Sequence, residues 1–274
     1  MTAISTDNTN GFSERYGVPS AIEPANVVVQ GLLNHRSVRA YTEQPLSAGM
    51  LEQLMAAAQS ASSSSNLQLW SALVVQDQER RKRLADICGG QKHICEAPLF
   101  IVWLADLSRA ERVGKAQGVT LEALDYTESF MLAVIDAALA AQNAVVAAES
   151  MGLGVVYIGA MRNNPQAIAM ELGLPPHVMG VFGLCIGWPD PDRPASVKPR
   201  LPLSVVLHNE RYGAAEEDAA VAAYDESLKR FQHGQGMDRL GWSSVQIARL
   251  RTEQALGARA KMRSSIHELG LALR

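Results

Sequence analysis

At 274 residues, with 47% hydrophobic and 19% charged side chains, the chain can bury one large core or two small ones, and it falls outside the disordered, collagen-like and coiled-coil classes. Twenty-five Lys and Arg stand against 28 Asp and Glu, for a formal net charge of -3. No broad positive field exists to draw in nucleic acid or an anionic membrane, so any anion site is local.

Residues 1–24 are polar, with Gly11, Gly17 and Pro19, and read as a loosely held arm without chemistry. A helix is predicted over residues 25–34, and a second begins with Ser47 as N-cap, carrying Met50, Leu51, Leu54, Met55 and Ala58 at helical spacing. Residues 71–76 alternate as a strand, 77–86 form a basic surface helix, and 98–105 read as a strand buried on both faces. Residues 125–151 form a long helix that is apolar on nearly every side. Asp136, Gln142, Asn143 and Glu149 interrupt it, which marks a buried helix and not a membrane span, and Gly152 and Gly154 are placed as its caps.

Residues 155–159 are a strand end or a loop, and Asn164-Pro165 opens a helix that ends near Leu172-Gly173. Residues 181–187 form a third strand, the segment 188–202 is Pro-rich, and 205–208 are a short extended piece. After Glu216 the chain reads as helical and more polar, with Trp242 and Ile247 as anchors. The order is not a regular strand-helix alternation, so an α+β sandwich with a mixed or antiparallel sheet is expected. Its expected divisions are an arm over 1–24, a core over 25–212 and a helical extension over 213–274 that packs on the core and a partner subunit. Cys88, Cys95 and Cys185 are too few for a disulfide framework and lack zinc spacing, and no secretory pattern opens the chain, so a cytoplasmic protein without a metal is expected.

Four polar clusters lack an obvious core or capping role. His35-Arg36-Ser37-Val38-Arg39 packs two guanidinium forks, an imidazole and a hydroxyl into five residues, which suits phosphate oxygens and equally suits a solvated helix end. Ser62-Ser63-Ser64-Ser65-Asn66-Leu67-Gln68 presents short donors and acceptors to a planar polar ligand, or is simply a loop. Gly159-Ala160-Met161-Arg162-Asn163-Asn164 is a tight stretch whose amides could face a ligand, or a turn ended by Pro165. In Lys198-Pro199-Arg200-Leu201-Pro202 the prolines extend the chain and put two cations on one side, or the segment is simply a basic surface loop. No metalloprotease motif, no nucleophile elbow and no paired carboxylates accompany these clusters, so any hard chemistry falls to a cofactor.

Taken in order from residue 30 to 212, these segments resemble the FMN-dependent nitroreductase family, most closely its branch of NADPH-preferring oxygen-insensitive nitroreductases and flavin reductases. Gly89-Gly-Gln-Lys-His, Gln142-Asn-Ala, Ala148-Glu-Ser-Met-Gly-Leu-Gly-Val-Val-Tyr-Ile-Gly and Phe182-Gly-Leu-Cys-Ile-Gly-Trp-Pro complete the series. The resemblance implies a homodimer with FMN at the subunit interface and an enzyme that uses NADPH, with NADH also possible, to reduce nitroaromatics, quinones or flavins by ping-pong kinetics. It implies no nucleic-acid or membrane partner and no catalytic side chain beyond the flavin.

Carried over residue by residue, His35, Arg36, Ser37 and Arg39 contact FMN, with Arg39 toward the ring and the others toward phosphate or ribityl. Ser63 and Ser64 lie at the isoalloxazine edge, Gln91 meets polar flavin atoms, Tyr157, Ile158, Gly159 and Ala160 line the ring, and Lys198 and Arg200 complete the phosphate site. Ser65, Asn66, Arg162, His233 and Arg239 fall on the substrate side. Ala160 replaces a glycine usual in that branch, Asn66 stands where an aromatic ring is frequent, and His233, Arg239, Arg249 and Arg251 occupy the region where arginines grip the NADPH 2′-phosphate. The rival readings are an FMN-storing or regulatory protein without turnover, and a phosphoanion- or nucleic-acid-binding module.

Overall fold

The computed structural model describes residues 11–16, 26–214, 217–238 and 240–274. In chain order the helices are α1 (Gly11–Tyr16), α2 (Val27–Leu33), α3 (Met50–Gln59), α4 (Gln78–Ile87), α5 (His93–Glu96), α6 (Ser108–Ala116) and α7 (Thr127–Ser150). They continue as α8 (Pro165–Leu172), α9 (Leu203–Val206), α10 (Glu217–Gly234), α11 (Gly241–Leu250), α12 (Glu253–Leu256) and α13 (Met262–Glu268). The chain divides into two compact units, Met1–Arg36 with Ser196–Leu256 and Ser37–Ala195 with Gly257–Arg274. The divisions expected after residues 24 and 212 both fall inside the first unit.

The second unit is built on four antiparallel strands, β1 (Trp70–Val74), β2 (Leu99–Asp106), β3 (Gly154–Ile158) and β4 (Val178–Gly187), in the order β1-β2-β4-β3. Every residue of β2 is buried, so the strand needs a cover on each face. Phe100, Val102 and Leu104 point to one side and meet Leu84, Ile94, Met161 and Ile168 around α4, α5 and α8. Leu99, Ile101 and Trp103 point to the other and meet Leu54 and Ala58 of α3 and Ala140, Ala141, Ala144 and Ala148 of α7. The period-two alternation of the strand thus assigns its neighbours to two separate cores.

Helix α7 is long and apolar enough to cross a membrane by length and composition, yet its alanine side packs on the sheet. Small side chains let the helix lie close to β2. The opposite side carries Met131, Ile135 and Leu139, which are 51%, 48% and 43% exposed and recur at a spacing that stacks them on one helical face.

Several local expectations are corrected. Ser47 does not cap α3: its backbone carbonyl accepts the Met50 amide, and the N-cap is Gly49 at φ +83°. Gly152 does turn the chain after α7 at φ +84°, but Gly154 is the first residue of β3, where a Cβ would fall 2.6 Å from Val38 Cγ2. Of the piece expected to be extended over 205–208, Val205 and Val206 belong to the single turn α9, which Pro202 leads into and the Leu207 amide closes on the Leu203 carbonyl, while Leu207 is extended. In the first unit Trp242 stacks edge-on against Tyr224 at 6.0 Å, whereas Ile247 is 62% exposed and anchors nothing within its own unit.

A glycine in β4 sets a packing limit. At Gly183 an added Cβ would meet Phe100 Cε2 at 2.6 Å and Cζ at 2.7 Å, and Phe100 is fully buried. Gly183→Ala is therefore expected to overpack the core and cost about 1–3 kcal/mol, read as a lower midpoint in thermal or urea unfolding. An unchanged midpoint would mean that the Phe100 ring has room to shift.

Candidate functional site

In the first unit the basic segments are drawn together by a residue that the sequence reading set aside. Arg15 is only 5% exposed. Its Nε donates to the Leu33 carbonyl at 2.8 Å, Nη1 to the Lys198 carbonyl at 3.1 Å and Nη2 to the His35 carbonyl. The Arg15 carbonyl in turn accepts the Arg200 amide at 2.8 Å. The expected loose arm therefore contains a short helix pinned through this side chain, with Gly11 packed so closely on Leu33 that a Cβ would fall 2.7 Å from Leu33 Cβ. Tyr224 Oη adds a hydrogen bond to the Pro199 carbonyl at 3.2 Å, and Arg200 Nη1 reaches the carbonyls of Lys198 and Pro199. Arg36, Lys198 and Arg200 remain exposed, and His35 is half-buried.

The boundary between the units falls at the Arg36–Ser37 bond, inside the first basic cluster. In the second unit Ser37 bridges Val155 and the Val38 amide donates to the Val155 carbonyl at 2.9 Å, so the chain leading to Arg39 runs beside β3. Exposed Arg39 lies close enough to α5 to act on His93. Burial first, and then the Arg39 guanidinium, push the His93 imidazole below its ordinary pKa. Gln91, half-buried just before α5, donates to the Cys88 carbonyl at 3.3 Å. Tyr157, Ile158, Gly159 and Ala160 follow at the end of β3, and the Tyr157 ring meets Phe182 edge-on at 5.1 Å. Neither Gly159 nor Ala160 has a positive φ, so alanine at 160 is unstrained.

Arg162 is positioned by an irregularity in the sheet. The β2–β4 register shifts between Trp103 and Leu104, whose partners are Phe182 and Gly180, leaving Val181 as the extra residue. Its carbonyl takes Arg162 Nη1 at 2.6 Å. Arg259, from the C-terminal part of the same unit, donates to Asn163 Oδ1 at 2.9 Å. Burial, followed by the charge of Arg259, lowers the Arg162 pKa.

The serine cluster is held by a buried carboxylate on α7. Asp136 Oδ2 accepts from Ser63 Oγ at 2.7 Å and from the Leu69 amide at 3.0 Å, while Ser63 Oγ accepts the Gln68 amide at 2.8 Å. Between these points Ser65, Asn66 and Gln68 have φ of 49°, 56° and 52°, a left-handed conformation that costs side-chain-bearing residues energy. Arg109 ties the exit of the loop through the Gln68 carbonyl at 2.9 Å and Ser71 Oγ at 2.8 Å. Beside it, burial alone would raise the Asp106 carboxyl, but hydrogen bonds from Ser108 and Ser71, with Arg109 nearby, outweigh it and hold Asp106 below the usual carboxylate range. Ser64, Ser65 and Asn66 are exposed at the loop tip.

Comparison with known proteins gives the family of the chain. Residues 32–188 match the Nitroreductase family, and residues 198–274 match the Nitroreductase family, C-terminal domain. The chain belongs to the nitroreductase family. Among its relatives, an oxygen-insensitive NADPH nitroreductase of Salmonella typhimurium is 41% identical over 218 residues, which cover 78% of this chain and 87% of that protein. An FMN reductase [NAD(P)H] of Bacillus subtilis is 40% identical over 222 residues, covering 80% and 88%. Among solved structures, an NADPH:FMN oxidoreductase from Vibrio harveyi complexed with NAD+ aligns with a TM-score of 0.81 at 33% identity, over 91% of this chain and 100% of that one. A nitroreductase from Bacillus subtilis aligns at 0.84 and 34% identity, over 90% and 100%.

The sequence reading of this nitroreductase passed over Arg15, Asp136 and Arg259. Asp136 carries a signal in the sequence, a lone carboxylate inside an apolar helix. Arg15 and Arg259 left none, since one surface-type arginine looks like another until its acceptors are in place. Of the proposed nicotinamide-side residues, His233 is exposed in the last turn of α10, and Arg239 lies outside the described residues.

The loop anchor can be tested directly. Asp136→Ala leaves the buried Leu69 amide without its acceptor and should cost about 1–3 kcal/mol, whereas Asp136→Asn, which still presents an oxygen, should recover much of that. Denaturant midpoints together with hydrogen exchange at Leu69 and Gln68 read both effects. Equal midpoints for the parent and the alanine variant would show that the loop does not depend on this carboxylate.

Proposed function

We propose that this nitroreductase is an FMN-dependent NAD(P)H oxidoreductase that passes electron pairs to small flat acceptors such as nitroaromatics, quinones and free flavins. The observation that carries the reading is the tethering of His35 and Lys198, far apart in the sequence, to one buried arginine in the first unit. The adjoining side chains Arg36, Lys198 and Arg200 are donors without acceptor capacity, the chemistry a phosphate dianion requires. The family match and the names of the relatives, as NADPH nitroreductase and FMN reductase, support the same conclusion.

When bound, FMN supplies hydride acceptance and two-electron delivery, chemistry that none of these side chains has. The chain supplies placement. His35, Arg36, Ser37, Lys198 and Arg200 hold the phosphate and ribityl end. Gln91, Ser63, Ser64 and the stretch Tyr157 to Ala160 frame the ring, and Arg39 places a cation where reduction adds negative charge. Ser65, Asn66 and Arg162 face the exchanging ligand, and His233 and Arg239 serve the 2′-phosphate of NADPH, which is preferred over NADH. Donor and acceptor use the same face in turn, which gives ping-pong kinetics. The exposed stripe of Met131, Ile135 and Leu139 on α7 supports a homodimer, because exposed apolar stripes of this kind are covered in symmetric pairs.

Purified protein should be yellow, bleach with NADPH under nitrogen and regain colour with a quinone. A colourless preparation that takes up no FMN would remove the cofactor assignment, and colour that NADPH cannot bleach would favour storage without turnover. Sedimentation should show a dimer, and Ile135→Asp should shift it toward monomer, since an ionised carboxylate cannot be buried unpaired at an apolar interface. A flavin-loaded parental monomer at low concentration would refute the dimer.

A further inference from the structure

Helix α1 has six residues, too few to be stable alone, and it is held by what Arg15 does. A guanidinium offers five N–H groups in a rigid fork, and here three of them go to carbonyls of separate segments, Leu33 and His35 on one side and Lys198 on the other. The backbone of Arg15 adds a fourth link by accepting the Arg200 amide. The segment Lys198–Arg200 is thus gripped at both ends by a single residue, through a donor at Lys198 and an acceptor at Arg200.

The direction of these bonds matters for an anion. Carbonyl oxygens facing a phosphate repel it, and amides facing it attract it. A trans peptide holds its C=O and the following N–H on opposite sides. Turning the His35 carbonyl inward onto Arg15 therefore turns the Arg36 amide outward. On the second segment the Lys198 carbonyl is taken by Arg15 and the Pro199 carbonyl by Tyr224 and Arg200, so both oxygens are engaged by donors of the same unit. The side chains of Arg36, Lys198 and Arg200 are left exposed beside them.

We propose that Arg15 is a positioning residue of the flavin phosphate site, which turns two basic segments so that they present cations and an amide, not carbonyls, to the phosphate. This rests on the FMN reading given above. Arg15 acts through Arg36, Lys198 and Arg200 and does not itself touch the flavin. The segment expected to be a chemically silent arm is then part of the cofactor site.

Riboflavin, which has the same ring and no phosphate, separates this role from general support of the fold. Full-length, flavin-free protein is titrated with FMN and with riboflavin, following flavin fluorescence, for the parent, Arg15→Met and Arg15→Lys, with Arg200→Ala as a direct phosphate-contact reference. Arg15→Met should weaken FMN binding by tenfold or more while riboflavin binding stays within about twofold, as for Arg200→Ala, because the phosphate interaction alone is lost. Arg15→Lys, which keeps the charge but cannot serve three carbonyls, should fall between Met and parent and covers the case in which Met does not fold. Equal losses for FMN and riboflavin in the folded variants, or no loss for either, would overturn the proposal. A parent that binds both flavins equally would instead overturn the phosphate assignment itself, and a parent that binds neither would overturn the FMN reading.

Discussion

A strand with no exposed residue has to be covered twice, and β2 imposes that condition on the second unit. Its odd-numbered side chains require the α3 and α7 cover and its even-numbered ones the α4, α5 and α8 cover, so the sheet can sit only between two helical layers. Trp103 and Phe100, fully buried on opposite faces, each contribute on the order of 1.5–3 kcal/mol from burial. The loops that carry polar residues leave from the edges of this block: the chain to Arg39 beside β3, the serine loop before β1, and the turn after β3. Arg39, Ser64, Ser65 and Asn66 are exposed because the interior is already filled.

Exposed side chains on loops do not hold a geometry by themselves. In each cluster the geometry comes from a buried or half-buried polar group behind the exposed residues. Asp136 stands behind the serine loop, the Val181 carbonyl stands behind the turn after β3 by holding Arg162, and Arg15 stands behind the two basic segments of the first unit. Asp136, Arg162 and Arg15 each bond backbone polar groups, which fixes the chain path beside the exposed side chains. A low local dielectric strengthens such bonds and raises the cost of losing one partner, so the supports resist displacement.

The serine loop also shows why composition misleads. A run of serines followed by Asn66 and Gln68 reads as a flexible loop, and its three left-handed residues would relax if left alone. Asp136 and Arg109 over-determine it from two sides, which converts a polar run into a fixed edge.

The sequence by itself determined the class of fold, the position of the central strands and the long helix, and the four polar clusters, because period-two and period-3.6 hydrophobic patterns and Gly and Pro punctuation are local properties of the chain. Helix α8 illustrates this: Asn164 caps it, Pro165 opens it and Gly173 closes it at φ +64°, all within one stretch of sequence. Only the tertiary structure decided that Gly154 is a close approach to Val38 and no cap, that Val181 is the residue the sheet skips, and that one face of α7 is left without cover in its own unit. It alone turned Arg15 and Asp136 from ordinary charges into supports. A hydrogen bond between residues far apart leaves no periodic trace, so its partners can be named only once the fold has brought the donor and acceptor within about 3 Å of each other.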